Sequence, residues 1–410
     1  MLSPSHTPAP KPRILILISH GGGGHKTAGE SLASILSPHY EVEIVNVISD
    51  ILKPLDPLNR MTKGKFTGED LYNFFLKRHQ NRFIHWMASY GIKFWKQSRI
   101  EKAFAQFLQN KSQPDLVISA TPFVNYPIAH VCDQFEIPFL LIPTDLDGAT
   151  FVQGFEGKPL LNNVKVALAY DDPEIRKATF RTAKFAPSQI AVTGFPVRTA
   201  CMKNYKPLEL VQLREKFGLS ANHRTVTIIM GALGGNLLLD HTKELIKIRP
   251  NPHDLRLQIN ICVGQNEALA QRIKSLLKAR SATCIGNSSY LLPSGLAIHV
   301  HGYTPDILEL MAVSDLIITK TGSCTVNEAI YLGKPILLDN TPRATARHLW
   351  WEQFNIPFTE RHKLGMAFTD IRQLHMLIPS LLKYPEPFSR LDVPDFASNI
   401  SHLVHEMITT

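Results

Sequence analysis

Four stretches of the chain hold residue types that can handle a charged ligand or a polar surface. The first is Ser19-His20-Gly21-Gly22-Gly23-Gly24-His25, set between an apolar run and a helical pattern starting near Lys26. Glycines let backbone N–H groups approach a ligand closely, and a helix N-terminus favours negative charge. The spacing is not G-x-G-x-x-G, and no P-loop Gly-Lys-Ser/Thr follows, so a plain tight turn is the competing reading. His25 closes the loop. Its imidazole is the side chain that changes charge near neutrality, and a lone histidine is more often structural than catalytic. Both readings stand at this level.

The second stretch is Thr319-Lys320-Thr321-Gly322-Ser323-Cys324-Thr325-Val326-Asn327-Glu328, followed by a helical pattern through Leu332. Small polar residues at a helix start can hold a diphosphate through backbone N–H groups and hydroxyls. Glu328, one turn in, can accept hydrogen bonds from two ribose hydroxyls. The competing reading is a polar N-cap opening an ordinary helix. The third is Met230-Gly231-Ala232-Leu233-Gly234-Gly235-Asn236, the counterpart of the first loop in the second half of the chain. Two such loops, each at the first strand-to-helix turn of its half, point to a polyanionic ligand.

The fourth stretch is basic and aromatic. Residues 60 to 111 contain 11 Lys/Arg against three acids, nearly all of the chain's net charge of +9. Phe74, Phe75, Lys77, Arg78, Trp86 and Trp95 are interleaved at helical spacing. A basic amphipathic helix with aromatics on one face suits an anionic bilayer interface. A core helix with a solvated basic face fits the same pattern. Nucleic acid is disfavoured, because the charge is confined and no known binding motif accompanies it.

The elements around these stretches alternate. Strand candidates are Arg13–Ile18, Val42–Val47, Asp115–Ser119, Phe139–Ile142 and Val164–Ala169. A second set comprises Thr225–Met230, Leu257–Val263, Ala297–Val300, Leu316–Thr319 and Pro335–Leu338. They are continuous apolar runs, as strands buried on both faces read, with helical patterns between them. That alternation implies parallel sheets of βαβ units. At 410 residues the chain exceeds one comfortable core. A polar segment near residue 205 separates the two sets. The expectation is therefore an α/β protein of two doubly wound, Rossmann-like domains facing a cleft, 1–205 and 206–410. The second ends in an amphipathic helix.

Five scattered cysteines with no C-x-x-C argue against a disulfide framework or zinc site, and for a reducing compartment. The apolar run Ile14–Ile18 is too short for a signal peptide core or a membrane span. No Asp-x-Asp triplet is present; Asp171-Asp172-Pro173 reads as a helix start.

The matching residues also support a family resemblance. Ile14–Gly29 (ILILISHGGGGHKTAG), Leu71–Tyr90, Pro114–Tyr126 (PDLVISATPFVNY) and Pro143-Thr144-Asp145-Leu146 resemble the monogalactosyldiacylglycerol synthase and processive diacylglycerol glucosyltransferase group of glycosyltransferase family 28. Val192–Arg198 (VTGFPVR) and Gly302–Pro335 resemble that group and the lipid-linked N-acetylglucosaminyltransferase of peptidoglycan synthesis. The resemblance implies a GT-B fold and an inverting transfer of a hexose from a UDP-sugar to a membrane lipid, diacylglycerol first, without a metal. It implies that Gly322, Ser323, Cys324, Thr325 and Glu328 hold the donor's diphosphate and ribose. Arg198, Gly231, Gly234 and Gly235 would lie near the phosphates, with the backbone at Tyr303 near the base. Gly22, Gly23, Gly24 and His25 would face the acceptor, with Asp145 lining that side. His25, with a pKa near neutrality, or a buried Asp145 would be the base. Residues 60–111 would meet the anionic lipid surface of the inner face of the cell membrane, the protein being cytoplasmic and peripheral. Two departures leave the donor sugar open: Thr341–His348 replaces the relatives' Pro-Gly-Gln-Glu-Glu-like run, and Leu233 stands where they often carry a small or polar residue. An acceptor other than diacylglycerol, a nucleotide-sugar epimerase and a catalytically silent nucleotide-binding module are the rival readings.

Overall fold

The computed structural model describes residues 10–21, 23–77, 96–231, 237–250, 256–345, 349–384 and 388–409. Gly22, Arg78, Trp86, Trp95, Gly234 and Gly235 therefore lie outside the described residues, as do Leu233, 346–348 and the side chain of Lys77.

The chain forms two compact units. One takes residues up to Phe74, residues from 96 to Thr199, and Pro394–Thr410; the other takes Ala200–Val393. The first unit is built on six parallel strands: β1 (Arg13–Ile18), β2 (Glu41–Asn46), β3 (Leu116–Ser119), β4 (Phe139–Leu141), β5 (Val164–Leu168) and β6 (Ile190–Val192). Their order is β2-β1-β3-β4-β5-β6. The sheet's middle is apolar because helices cover both faces: Ile14, Ile16, Leu17, Val117, Ile118 and Leu140 are all buried.

The second unit has an eight-stranded sheet from β7 (Arg224–Ile229), β8 (Leu257–Gly264), β9 (Thr283–Gly286), β10 (Ser289–Leu291), β11 (Ala297–Gly302), β12 (Leu316–Thr319), β13 (Ile336–Asp339) and β14 (Gly365–Phe368). The order is β14-β13-β12-β7-β8-β11-β10-β9. All pairs are parallel except β11–β10 and β10–β9. Val226, Ile228, Ile259, Ile261, Ile298, Ile318 and Leu337 form its core.

Five helices position the site: α1 (Gly24–Leu36), α2 (Gly68–Lys77), α3 (Leu237–Leu245), α4 (Ser323–Tyr331) and α5 (Phe396–Thr409). The contact division falls at 199/200, and α5 joins the first unit, against α1 and β3. It buries Phe396, Ile400, Leu403, Val404 and Met407. Asn399 Nδ2 donates to Thr193 O at 3.3 Å, and Glu406 pairs with Lys165 at 2.6 Å. Asp172 opens a helix as expected: its side chain accepts from the N–H groups of Glu174 and Ile175, with Pro173 in the first turn. Among the described residues no helix is long and apolar enough to cross a membrane.

Candidate active site

The first glycine loop runs from the end of β1 to α1, as read from sequence. Two of its glycines differ in purpose from a third inside the helix. A Cβ at Gly23, the N-cap, would meet nothing within 4 Å, so the space there is open. A Cβ at Gly29 would lie 2.5 Å from Ile18 Cγ2, so Gly29 is what lets α1 lie close on β1. The loop is fastened from α2. Glu69 accepts the His20 N–H on one oxygen and Asn46 Nδ2 on the other. Asn73 Nδ2 donates to His20 O at 3.0 Å, and a Cβ at Gly21 would lie 3.5 Å from the Tyr72 ring. Residues 69, 72 and 73 share one helix face, so α2 holds both backbone groups of His20. Sequence reading missed Glu69 and Asn73. Their i, i+4 spacing on an amphipathic helix was the available signal, but nothing local names His20 as the target.

His25 lies in the first turn of α1. Its Nδ1 is 2.9 Å from Thr144 Oγ1, in the loop that follows β4, and its ring is 6.0 Å from that of Phe151. The residue keeps partial exposure, yet the ring is packed closely enough that desolvation pulls its pKa down to about 4, opposed by a hydrogen bond to the Ala120 backbone. This corrects the expectation of a base near neutrality: burial makes His25 a neutral, weakly basic imidazole at pH 7. Asp145 follows Thr144 directly and is half-buried, so the loop after β4 supplies both the partner of His25 and the second candidate base. On α1, Ser31 Oγ donates to Val197 O at 2.6 Å, which seats the half-buried Arg198 beside the same helix.

In the second unit, α4 starts one strand-to-helix turn after β12. Its N-cap is Gly322, with no side-chain cap bond, so the polar cap expected from sequence is not made. Asn355 Nδ2 instead holds the turn, donating to Thr321 O at 2.7 Å and to Ser323 Oγ at 3.0 Å. Thr321 Oγ1 is buried without a hydrogen-bond partner. Cys324 and Thr325 are half-buried, while Glu328 is 4% exposed, so ligand hydroxyls would meet it inside the site. Gly231 leaves β7 with φ +83°, a left-handed backbone that glycine adopts without penalty. Tyr303, after β11, is 67% exposed, as a residue offering backbone to a ligand can be.

The atypical segment from Thr341 is tied to α3. Asp339, at the end of β13, accepts from Thr341 N and Oγ1 on Oδ1, at 3.0 and 2.7 Å. Its Oδ2 lies 2.9 Å from His241 Nε2, both side chains fully buried. His241 Nδ1 must donate to Leu237 O, at 2.7 Å, because a carbonyl only accepts. Beside this pair, Arg343 Nη1 meets Asp240 Oδ2 at 2.6 Å. Sequence reading missed the His241–Asp339 and Asp240–Arg343 ties because each joins residues about a hundred positions apart.

Of the surface candidates, Phe74 is 43% exposed and Phe75 half-buried. Met61 and Phe66 are 82% and 58% exposed, among the exposed cations Arg60, Lys63 and Lys65. Among the described residues no group of three or more His, Cys, Asp or Glu is placed to hold a metal.

Comparison with known proteins adds to this geometry. Residues 226–353 match the model of the glycosyltransferase family 28 C-terminal domain. The chain is 26% identical over 351 residues to a processive diacylglycerol beta-glucosyltransferase of Bacillus cereus, covering 80% of this chain and 76% of the relative. It is 25% identical over 422 residues to the chloroplastic monogalactosyldiacylglycerol synthase 1 of Arabidopsis thaliana, covering 97% and 71%. The crystal structure of MurG from Acinetobacter baumannii superposes with a TM-score of 0.57 at 15% identity, over 97% of this chain and all of that one, which shows the two-domain α/β fold of the GT-B class. Residues 226–353 therefore resemble the C-terminal domain of glycosyltransferase family 28, within a chain that has the α/β fold of the GT-B glycosyltransferases.

Proposed function

We propose that this enzyme transfers a hexose from a UDP-sugar to a lipid acceptor, diacylglycerol first, inverting the anomeric centre in a single displacement. The observation that carries the reading is the start of α4. It is a nine-residue helix with a glycine N-cap that offers no capping side chain, inside the segment that matches family 28. Such a helix start answers the charge of a leaving diphosphate with N–H groups already in place. Arg198 and the Gly231 turn add to that stabilisation, and the reaction as read needs no metal. The relatives named for diacylglycerol products support the acceptor.

In this reading the acceptor hydroxyl gives its proton to His25 as it attacks. The imidazole is neutral at pH 7 and so able to accept, and Thr144 fixes the ring's orientation. Asp145 lines the acceptor side. Exposed Met61, Phe66 and Phe74 with their neighbouring cations dock the protein on the anionic inner face of the cell membrane. The test is transfer from a panel of labelled UDP-sugars to anionic vesicles containing diacylglycerol. A labelled glycolipid from one sugar supports donor, acceptor and reaction together. No product from a protein that binds UDP moves the acceptor away from diacylglycerol.

A further inference from the structure

We infer that Glu69 is a positioning residue for the acceptor half of the reaction, fixing the peptide from which the glycine loop departs so that the loop's backbone is held ready for the acceptor. The inference rests on the acceptor-loop reading proposed above and adds to it a side chain that the sequence did not single out.

The loop cannot set itself. Gly21, Gly23 and Gly24 carry no side chains, and glycine loses more backbone freedom on ordering than any other residue. A Cβ at Gly23 would meet nothing within 4 Å, so packing does not confine that position either. The far end of the loop is fixed by α1 and by the contact of His25 with Thr144. The near end is fixed at His20, and there the holding groups come from α2. Glu69 accepts the His20 N–H, and Asn73, one turn later, donates to the His20 carbonyl at 3.0 Å. The direction in which the chain enters the loop is therefore decided by one face of one helix.

The pairing of donors and acceptors calls for a carboxylate at position 69. Asn46, buried at the end of β2, accepts the N–H groups of Ile48 and Ser49 on Oδ1, at 2.9 and 3.3 Å. Its Nδ2 is left to donate to Glu69 Oε2, at 3.0 Å. Glu69 thus faces two donors, the His20 N–H and the Asn46 amide, and takes one on each oxygen. A glutamine offers one acceptor and one donor, so it must give up one of these bonds. The residue before Glu69 is anchored too: Gly68 N donates to Oδ2 of the buried Asp56 at 2.5 Å. Glu69 therefore spans between the end of β2 and the end of β1 from a fixed base.

The wild type is compared with Glu69→Gln and with the double variant Asn46→Asp/Glu69→Gln, which exchanges donor and acceptor across the contact and keeps the wild-type net charge. Amide exchange of residues 19–26 is followed by mass spectrometry, and sugar transfer to vesicles containing diacylglycerol by steady-state kinetics. Glu69→Gln is expected to speed exchange in that segment and to lower kcat, each by about tenfold, as loss of one hydrogen bond to a charged group would. UDP affinity and KM for the UDP-sugar are expected to change less than about twofold. The double variant is expected to recover most of both losses, and it carries the test if Glu69→Gln does not fold. A role that only holds the unit together would lower the melting temperature and leave exchange of 19–26 and kcat as they are. That result, or a double variant that exchanges and transfers no better than the single one, overturns the inference. A wild type that transfers no sugar overturns the acceptor reading instead; exchange needs no turnover, and so still reports whether Glu69 sets the loop.

Discussion

Thr144 Oγ1 lies 2.9 Å from His25 Nδ1, so the loop after β4 orients the ring that begins α1. His25→Ala is expected to reduce turnover about 10²–10⁴-fold, the usual contribution of a positioned proton acceptor, while UDP binding survives. Thr144→Val, which removes the ring's partner and keeps its shape, is expected to lower kcat by about tenfold with KM for the donor unchanged, as loss of one hydrogen bond would. Steady-state kinetics on both variants check this, and full turnover in His25→Ala would remove the residue from the mechanism.

Acid should destabilise the fold well before its carboxylates titrate. Burial lowers His25, His299 and His301 from 6.5 to about 4, with neighbouring histidine charge adding to it at His299 and His301. The unfolded chain takes up these protons below 6.5, and the folded chain does not until about 4. The unfolded state therefore binds more protons in that window, and stability falls as pH drops through it. Melting temperature measured from pH 7.5 to 4.5 should decline across the window. His299→Asn should flatten part of the decline, and a flat curve in the wild type down to pH 5 would contradict the argument.

The buried pair His241 and Asp339 makes a separate stability prediction. Asp339→Asn takes the carboxylate away from His241 Nε2 in a site closed to water. Removing one partner of such a pair typically costs about 3–5 kcal/mol. Denaturant unfolding should show that loss, and His241→Gln/Asp339→Asn together should recover part of it.

Gly29→Ala tests the packing of α1 on β1. The added methyl would sit 2.5 Å from Ile18 Cγ2, a distance the neighbours must open by shifting. Overpacking of this kind costs about 1–3 kcal/mol. Gly23→Ala, where no atom lies within 4 Å, should leave the melting temperature nearly unchanged.

Membrane docking is tested at residues that touch no catalytic group. Met61→Ser with Phe66→Ser is expected to lower partition onto anionic vesicles by about tenfold or more, from the lost apolar burial. Cosedimentation at two salt concentrations measures it, and unchanged partition would count against the proposed docking surface.

Much of the scaffold is legible from residue type. Strands buried on both faces read as unbroken apolar runs, and β1, β3, β4, β5 and most of the later ones follow from that. The exceptions have physical causes. β6 is three half-buried residues, β9 is exposed throughout, and β14 opens on Gly365, where a Cβ would meet Ile336 O at 2.0 Å. The loops around His25 and Ser323 are equally legible, because glycine and hydroxyl residues at strand-to-helix turns announce themselves locally. Glu69 and the His241–Asp339 pair do not. Their partners lie up to 98 positions away, and only the fold chooses among the many charges a sequence offers.

The return of α5 to the first unit bears on how the molecule is made. The unit begun at Arg13 is completed by Phe396–Thr409, with all of Ala200–Val393 synthesised in between. On the ribosome the earlier unit must wait with the surface destined for Phe396, Ile400 and Val404 uncovered, while the later one can already close. A fragment ending at Thr199 inherits that bare patch and should aggregate, whereas joining residues 394–409 to it through a short linker should restore a soluble, cooperatively folding unit.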